Sequence, residues 1–151
     1  MNKNAFTLIE IIAVIMIIAI IVGMALPRFS GVQEEALMTK AKVELRTIQS
    51  ALESYYMHQT PSAYPPTSDT VISDYLMRQT PQIASQILFD PFKSDQSEYN
   101  YILSDNGRYY VIFSAGSNGE DDISGISDEG DITANIYDDI YLTNGPGSDG
   151  Q

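Results

Sequence analysis

The stretch that decides the fold lies near the N-terminus, where FTLIE (residues 6–10) runs directly into IIAVIMIIAIIVGMAL (residues 11–26). The second part is an unbroken run of 16 apolar residues, and together with the first it reaches 21 residues. A membrane-spanning helix needs about 20. A carboxylate within such a span costs roughly 2.5–3.5 kcal/mol at the bilayer centre and less towards its edge.

Glu10 is the one charged residue in this stretch, and two interpretations of it are open. It could reach the lipid headgroups, or it could pair with a positive group inside the membrane. If the chain were cut after Ala5, the new amino group of Phe6 would be such a group at neutral pH. Between parallel, staggered helices, the Glu10 carboxylate of one copy could then meet the Phe6 amine of the next and set the register of a stack of copies.

The hexapeptide AFTLIE and the apolar run after it resemble the class III leader of type IV pilins and of type II secretion pseudopilins. The resemblance implies that residues 1–5 are a leader and that prepilin peptidase cuts before Phe6 and methylates the new amine. Residues 6–27 would then be the transmembrane and assembly helix. Ala5 stands where the family usually has Gly. The family also has a proline at the position of Pro27, where its filaments tolerate a locally melted helix.

The next part of the helix, predicted for residues 28–57, is amphipathic. Apolar residues recur there at spacings of three and four, the period of one helical face: Met38, Ala41, Leu45, Ile48, Leu52 and Tyr55. Most charged residues of the segment fall off this stripe, so we expect it to pack against the domain that follows. Pro27 and Gly31 are expected to interrupt the helix, because a proline removes one backbone donor and kinks or loosens it.

The remaining residues, 58–151, are predicted to form a globular head with a small sheet. Two strand-like runs, at 98–103 and 108–113, are rich in Tyr, Val and Ile. The Asn106-Gly107 pair between them predicts a β-hairpin, because it supplies the positive φ angles of the turn. A third, short strand is expected at 140–142.

A short helix and a turn are expected ahead of these strands. Ser68 or Asp69 could cap a helix that runs through residues 75–77. The turn at residues 90–92, Asp-Pro-Phe, is similar to the Asp-Pro-aromatic segment that precedes the pseudopilin sheet. With the resemblance, this predicts an α+β pilin fold, in which a long N-terminal helix packs on a small antiparallel sheet with a C-terminal calcium-binding loop.

Charge is distributed unevenly along the chain, which has 20 acidic and 8 basic residues and a formal net charge of −12. Residues 1–57 are neutral overall, whereas residues 116–151 hold nine acidic and no basic side chains. This argues against sequence-independent binding of nucleic acid, which needs Lys and Arg on phosphates. The chain has no Cys, which excludes thiolate metal sites and thiol nucleophiles, and its one His, His58, is expected on the surface.

The acidic segment after Phe113 could be a solvated loop, or it could bind calcium. Isoleucines spaced through it should pack, and its carboxylates would repel one another if they were held close without a cation. Ca²⁺ takes six to eight hard oxygens from carboxylates, carbonyls and similar groups, and Asp, Asn and Ser interleaved with Gly suit this need. No full EF-hand spacing is present.

Major pseudopilins of type II secretion end in a calcium-binding loop that opens with Ser-x-Gly-x-Asp/Asn-Gly and has a later Asp-Ile. Residues 114–119 and 131–132 are similar to these two parts. By that resemblance, the calcium ligands in the acidic loop 114–140 are the Ala115 carbonyl, Ser117 or Asn118, Asp128 and Asp131. The loop here is longer and repeats an Asp-Asp-Ile unit, so three further aspartates could substitute or form a second site: Asp121, Asp122 and Asp138.

The resemblance implies a structural protein rather than an enzyme, most like the major subunit of the type II secretion pseudopilus, a helical filament that drives protein export across the outer membrane. Its partners would be other copies, minor pseudopilins, the inner-membrane assembly platform and prepilin peptidase. Before assembly the subunit would be a single-pass inner-membrane protein with residues 1–5 in the cytoplasm. Afterwards it would lie in a periplasmic pseudopilus or a cell-surface filament.

Four alternatives stay open. The main subunit of a type IV pilus often closes a C-terminal loop with a disulfide, which a chain without Cys cannot form. A minor tip pseudopilin characteristically lacks the acidic residue that Glu10 supplies. From other classes, the chain could be a secreted calcium-binding module cleaved near Ala25, or a membrane-anchored hydrolase that uses paired carboxylates.

Overall fold

The computed structural model describes residues 6–135 and 138–146, except for the side chains of residues 25–30. Within it the chain divides into two compact units, residues 1–36 and 37–151. The first unit is helical in its described part. The second combines helix with β-structure.

Helix α1, Leu8–His58, is 51 residues long and belongs to both units. It confirms the predicted long N-terminal helix. The helix continues through Pro27 and Gly31 without a break, so the expected interruption is wrong. A proline removes only one backbone donor, and the helical hydrogen bonds on both sides are numerous enough to outlast that loss.

A capping box between Thr7 and Glu10 closes the first turn of α1. The Glu10 carboxylate accepts hydrogen bonds from the Thr7 N–H at 3.2 Å and from the Thr7 hydroxyl at 3.3 Å. In return, the Thr7 hydroxyl oxygen accepts a bond from the Glu10 N–H at 3.3 Å. The box satisfies backbone donors that the start of a helix otherwise leaves unpaired.

Beyond this turn, the described side chains of the first unit are exposed. The large apolar residues from Phe6 to Met24 keep between 45 % and 79 % of their surface accessible. Within the part of the chain whose side chains the structure describes, no helix is long and apolar enough to cross a membrane.

The second unit contains five described strands in two sheets. They are β1 (Asn100–Leu103), β2 (Tyr110–Ser114), β3 (Ile123–Ile126), β4 (Ile132–Ala134) and β5 (Ile140–Thr143). β1, β2 and β5 form an antiparallel sheet with β2 in the centre, and β3 pairs with β4 in a separate antiparallel hairpin. These pairings confirm the predicted β1–β2 hairpin, the short C-terminal strand and the α+β pilin fold, whereas the β3–β4 hairpin was not predicted.

The part of α1 that belongs to the second unit packs on one face of the three-stranded sheet. The predicted apolar stripe is buried there, with Leu45 and Leu52 fully inaccessible and Ile48 only 2 % exposed. The stripe meets Tyr101 and Ile112 of the sheet in one core cluster. Each large apolar side chain buried in this way contributes roughly 1.5–3 kcal/mol.

All five residues of β2 are buried because both faces of this strand are covered. Tyr110 and Ile112 belong to the core that faces α1, whereas Val111 and Phe113 pack against Ile123 of β3. Successive residues of a strand point to opposite faces. The β3–β4 hairpin therefore covers the face of the sheet that α1 leaves open.

Two carboxylates of α1 anchor it to the rest of the head. Glu44 accepts a hydrogen bond from the Tyr99 hydroxyl at 2.7 Å. Glu53 accepts one from Tyr110 at 2.8 Å and one from Tyr64 at 3.0 Å. Burial and the nearby Glu53 carboxylate raise the pKa of Tyr64 to about 12, so its hydroxyl remains a donor at neutral pH. Hydrogen bonds to a charged acceptor are roughly twice as strong as neutral ones.

A single π-helical turn, Ile72–Leu76, lies where the short helix was predicted. Its first N–H groups are capped by the carboxylate of Glu98, which accepts bonds from Ile72 at 2.8 Å and from Ser73 at 3.2 Å. Ser68, one of the two predicted caps, accepts a hydrogen bond from the Thr70 N–H at 3.1 Å just ahead of this turn, so Ser68 and Glu98 cap different N–H groups.

The β1–β2 turn contains Asn106 and Gly107, but only Gly107 has a positive φ, of 70°. The Asn106 side-chain oxygen instead accepts hydrogen bonds from the Arg108 N–H and the Ser104 hydroxyl, both at 2.9 Å. Its amide nitrogen donates to the Asp128 carbonyl at 2.9 Å. Asn106 therefore fixes the turn through its side chain and ties it to the turn between β3 and β4.

Candidate metal centre

The pairing of β2 with β5 brings the two ends of the acidic segment together. Ser114, the last residue of β2, pairs with Ile140, the first residue of β5. Gly116 then adopts a φ of 62°, a conformation that favours glycine, and a Cβ at this position would collide with the Asp138 carbonyl. The absence of a side chain at Gly116 thus lets the chain leaving β2 pass directly beside the chain entering β5.

Asp122, Asp138 and Asp139 form a cluster at this point, in which one carboxylate oxygen of each lies within 4.8 Å of the others. The Asp138 Oδ2 accepts hydrogen bonds from the Ser117 hydroxyl at 2.8 Å and from the Asn118 N–H at 2.7 Å. We call these three aspartates the aspartate cluster.

Asp139 is the most deeply buried member of the aspartate cluster, with 2 % of its surface exposed. Its Oδ2 accepts hydrogen bonds from the N–H groups of Asp122 at 3.0 Å and Ile123 at 3.2 Å. Burial raises the pKa of Asp139 to about 6, and the charges of Asp122 and Asp121 add to this, although the two backbone hydrogen bonds act in the opposite direction.

The aspartate cluster contains two buried oxygens that have no hydrogen-bond partner among the described residues, Oδ1 of Asp138 and Oδ1 of Asp139. The described ion pairs give none of the three aspartates a basic partner. A buried polar atom without a partner costs about 1–3 kcal/mol, and more when it is charged, and carboxylates held close together also repel. A bound cation would remove both costs.

The donor set fits Ca²⁺. Three carboxylates offer up to six hard oxygens, and Ca²⁺ takes six to eight oxygen ligands from carboxylates, carbonyls and similar groups. Thiolate and imidazole, which suit softer transition metals, are not part of the cluster. Backbone carbonyls or the Ser117 hydroxyl, which already contacts Asp138, are available to complete such a shell.

Four of the predicted calcium ligands meet at the aspartate cluster or next to it: Ser117, Asn118, Asp122 and Asp138. Asp121 has other partners. One of its carboxylate oxygens binds the Lys93 Nζ at 2.7 Å, and the other accepts a hydrogen bond from the Asn100 side chain at 2.6 Å.

The structure does not bring Asp128 and Asp131 to the aspartate cluster. Both are exposed and lie between β3 and β4, and Asp128 Oδ1 accepts a hydrogen bond from the Asn106 N–H at 2.8 Å. The reason is that Ile132, which the resemblance placed in a metal loop, begins strand β4 instead. A role for the Ala115 carbonyl as a calcium ligand stays a prediction. Ala115 is fully buried and directly follows the last residue of β2.

Asp139 is absent from the predicted ligands, because an Asp-Asp-Ile unit does not reveal which aspartate is buried. A signal was nevertheless present. The strand predicted at 140–142 begins directly after Asp139, and the predicted loop begins at Ser114, so strand pairing of these two ends would bring Asp139 next to the loop opening.

The residues predicted to act at the N-terminus are only partly described. Phe6 is 79 % exposed, and Glu10 is engaged with Thr7 in the capping box. Ala5 and the predicted leader lie outside the described residues. At Pro27 the structure describes the helical backbone and not the side chain.

Comparisons with known proteins match both parts of the chain. Residues 1–26 match the family described as prokaryotic N-terminal methylation motif, and residues 28–135 match the family described as type II secretion system (T2SS), protein G. The chain is also similar to the type II secretion system core protein G of Escherichia coli (strain K12). The two are 28 % identical over 143 residues, which cover 87 % of this chain and 90 % of that protein.

Proposed function

We propose that this chain polymerises into a helical filament that drives protein export across the outer membrane, because it belongs to the family of type II secretion system protein G. This membership confirms the predicted resemblance to the major pseudopilin. The family consists of structural pseudopilins rather than enzymes, and the N-terminal methylation motif fits a membrane-anchored subunit. The proposed partners are other copies, minor pseudopilins, the inner-membrane assembly platform and prepilin peptidase. The match to protein G favours the pseudopilus over a type IV pilus and over a secreted calcium-binding module.

The apolar surface of the first unit is the observation that carries this proposal. Fourteen large apolar side chains between Phe6 and Met24 are each at least 45 % exposed. A helix that is apolar on all sides has to be buried in protein or in a membrane. We propose that lipid of the inner membrane covers it before assembly and that the same helix of neighbouring copies covers it afterwards.

Glu10 is the proposed register element of the filament. Its described hydrogen bonds are confined to Thr7, one turn away, and the side chain is exposed at the start of α1. The methylated amine of Phe6 in the next copy would be its partner. In an apolar surrounding an attraction between opposite charges is several times stronger than in water, so only arrangements that pair the two charges would be stable.

The substitution Glu10→Gln tests this role, because Gln at the third helical position can keep the capping box while it removes the charge. The variant should enter the membrane and be processed to a methylated Phe6, yet form few or no filaments. Membrane fractionation and mass spectrometry of the mature N-terminus follow the first two steps, and electron microscopy of sheared filaments follows the third.

The matched control is Thr7→Ala, which breaks the capping box and leaves the carboxylate in place. It should assemble better than Glu10→Gln if the charge of Glu10 is what matters. Normal filaments from Glu10→Gln would refute the charge pairing, and equal loss in both variants would reduce the role of Glu10 to capping its own helix.

We also propose that the head binds Ca²⁺ at the aspartate cluster. The support is the set of three converging carboxylates with two unpaired buried oxygens. Sensor-type and extracellular Ca²⁺ sites have dissociation constants of roughly 10⁻⁷–10⁻³ M, a range that suits a head lying outside the cytoplasm. The cation would fix the chain between β2 and β5 and so give the head one defined surface for its neighbours.

A further inference from the structure

The turn formed by residues 90–93, Asp-Pro-Phe-Lys, lies against the first half of the acidic loop, and we propose that this turn positions the loop for cation binding. The inference rests on the calcium site proposed for the aspartate cluster. The turn itself is firmly held, because the Asp90 N–H donates to the Ser97 carbonyl and the Asp90 Oδ1 accepts a bond from the Phe92 N–H, both at 3.0 Å.

Asp90 fixes the start of the loop. It is only 2 % exposed, and its two carboxylate oxygens accept hydrogen bonds from the Ser114 hydroxyl at 2.7 Å and from the Ala115 N–H at 2.8 Å. The chain turns at the next residue, Gly116, and passes beside Asp138. The position of Ser114 and Ala115 therefore determines where the following residues meet the aspartate cluster.

Lys93 holds the other end of the same segment. Its Nζ lies 2.7 Å from the Asp121 Oδ2, and the lysine side chain is only 16 % exposed. Asn100 occupies the second oxygen of Asp121. The positive charge of Lys93 offsets part of the repulsion between Asp121 and the aspartate cluster. Lys93 and Asn100 together engage both oxygens of Asp121, while the next residue, Asp122, joins the cluster.

The loop also touches the turn between these two ends, since a Cβ at Gly119 would lie 3.5 Å from the Phe92 carbonyl oxygen. The Asp90–Lys93 turn thus contacts the segment 114–121 at its start, its middle and its end. Side chains outside the ligand shell that hold ligands in place typically change metal affinity by 10–100-fold when they are replaced. We assign Asp90 and Lys93 this positioning role.

A buried carboxylate could instead serve stability alone, and Glu98 provides the matched comparison. It is 6 % exposed and accepts hydrogen bonds from the N–H groups of Ile72 and Ser73, away from the acidic loop. Asp90→Asn and Glu98→Gln should both lower the stability of the head. Only Asp90→Asn should also weaken cation binding.

The test measures Ca²⁺ binding by the whole chain in detergent at neutral pH, through displacement of luminescent Tb³⁺. Asp90→Asn and Lys93→Met should each raise the dissociation constant about 10-fold or more, Lys93→Arg should restore it, and Glu98→Gln should leave it unchanged. In chelator, hydrogen exchange of the Asn118 amide should accelerate in Asp90→Asn and not in Glu98→Gln, because that amide is bonded to Asp138 only while the loop is in place.

Each result has a separate meaning. If the unsubstituted chain does not bind Ca²⁺, the calcium proposal is overturned and this inference with it. If the unsubstituted chain binds Ca²⁺, two results overturn the positioning role alone. In the first, Asp90→Asn and Lys93→Met bind Ca²⁺ as tightly as the unsubstituted chain. In the second, Glu98→Gln weakens Ca²⁺ binding as much as these two substitutions do. If Asp90→Asn does not fold, Lys93→Met and its Arg rescue decide the question.

Discussion

Replacing Asp139 by Asn removes one charge from the aspartate cluster and tests the calcium proposal directly. The pKa of Asp139 is about 6 in the folded head, compared with an ordinary value of 3.8. Since each tenfold change in proton affinity corresponds to ~1.4 kcal/mol, ionised Asp139 costs the cation-free head about 3 kcal/mol at neutral pH. An Asn oxygen can still accept the bonds from Asp122 and Ile123, so in chelator the variant should be more stable by up to that amount.

The sign of the pH dependence follows from the raised pKa. The cost is absent below about pH 4, where Asp139 is protonated in both the folded and the unfolded chain, and it grows as the pH rises to about 6, above which it is constant. The stability advantage of Asp139→Asn over the unsubstituted chain should therefore develop between about pH 4 and pH 6 and disappear in more acidic solution.

Calcium should reverse the order of the two proteins. A ligand at 1,000 times its dissociation constant stabilises the folded state by about 4.1 kcal/mol, which exceeds the advantage of the variant in chelator. The variant lacks one carboxylate ligand and should gain little at the same calcium concentration. Denaturant unfolding followed by tyrosine fluorescence reports on the head, because all ten tyrosines lie between residues 55 and 141 and the chain has no Trp. Asp131→Asn is the matched control, since it neutralises an exposed carboxylate outside the cluster and should change neither measurement.

Three results would refute this reasoning. If Asp139→Asn were less stable than the unsubstituted chain in chelator at pH 7, the buried charge would not be a cost to the cation-free head. If calcium stabilised both proteins equally, Asp139 would not be a ligand. If Asp131→Asn and Asp139→Asn changed the unfolding stability by the same amounts in chelator and in calcium, the effects would reflect general screening of negative charge rather than a site.

Two further substitutions distinguish the candidate metal centre from the hydrophobic core. Gly116→Ala should destabilise the head and weaken calcium binding, because a Cβ would collide with the Asp138 carbonyl and a φ of 62° is strained for Ala. Calorimetric unfolding with and without calcium measures both effects. Leu45→Ala should lower the free energy of unfolding by about 2–5 kcal/mol and leave calcium affinity unchanged, since Leu45 is fully buried against the sheet. Urea denaturation measures the change in stability, and Tb³⁺ displacement measures calcium affinity.

The elements that could be predicted from the sequence are those with a strong local pattern. The stripe through Leu45 and Leu52 has a helical period, and the β1–β2 hairpin has alternating large residues around Asn106-Gly107. The β3–β4 hairpin could not be recognised in the same way, because its isoleucines are isolated among acidic and small residues. What makes it a hairpin is the apolar face of Val111 and Phe113, which only tertiary contact reveals.

The candidate metal centre could be predicted from the sequence only in part. The excess of carboxylates after Phe113 predicts either a solvated loop or a cation site, and Asp122 and Asp138 are among the predicted ligands that the structure brings together. Asp139 joins the aspartate cluster because of the register between β2 and β5, and Asp121 stays outside it because it forms an ion pair with Lys93. Neither relation is local in sequence. The strand predicted directly after Asp139 was a signal for the first, but only the fold gives the strand register, and no sequence pattern indicated the second.

The order of the strands also has a consequence for the connectivity of the chain. β5 joins the sheet only after a long connection, residues 115–139, that follows β2. Asp122 lies in the first half of this connection, whereas Asp138 and Asp139 lie at its end, directly before β5. A cation held by all three would be a cross-link between residues 122 and 138. A covalent bridge around a 15-residue loop is worth about 3 kcal/mol, and closing long loops is where such clips contribute most. In a chain without cysteine, the strength of this cross-link would be set by the calcium concentration around the head, and no redox chemistry would be needed to make or undo it.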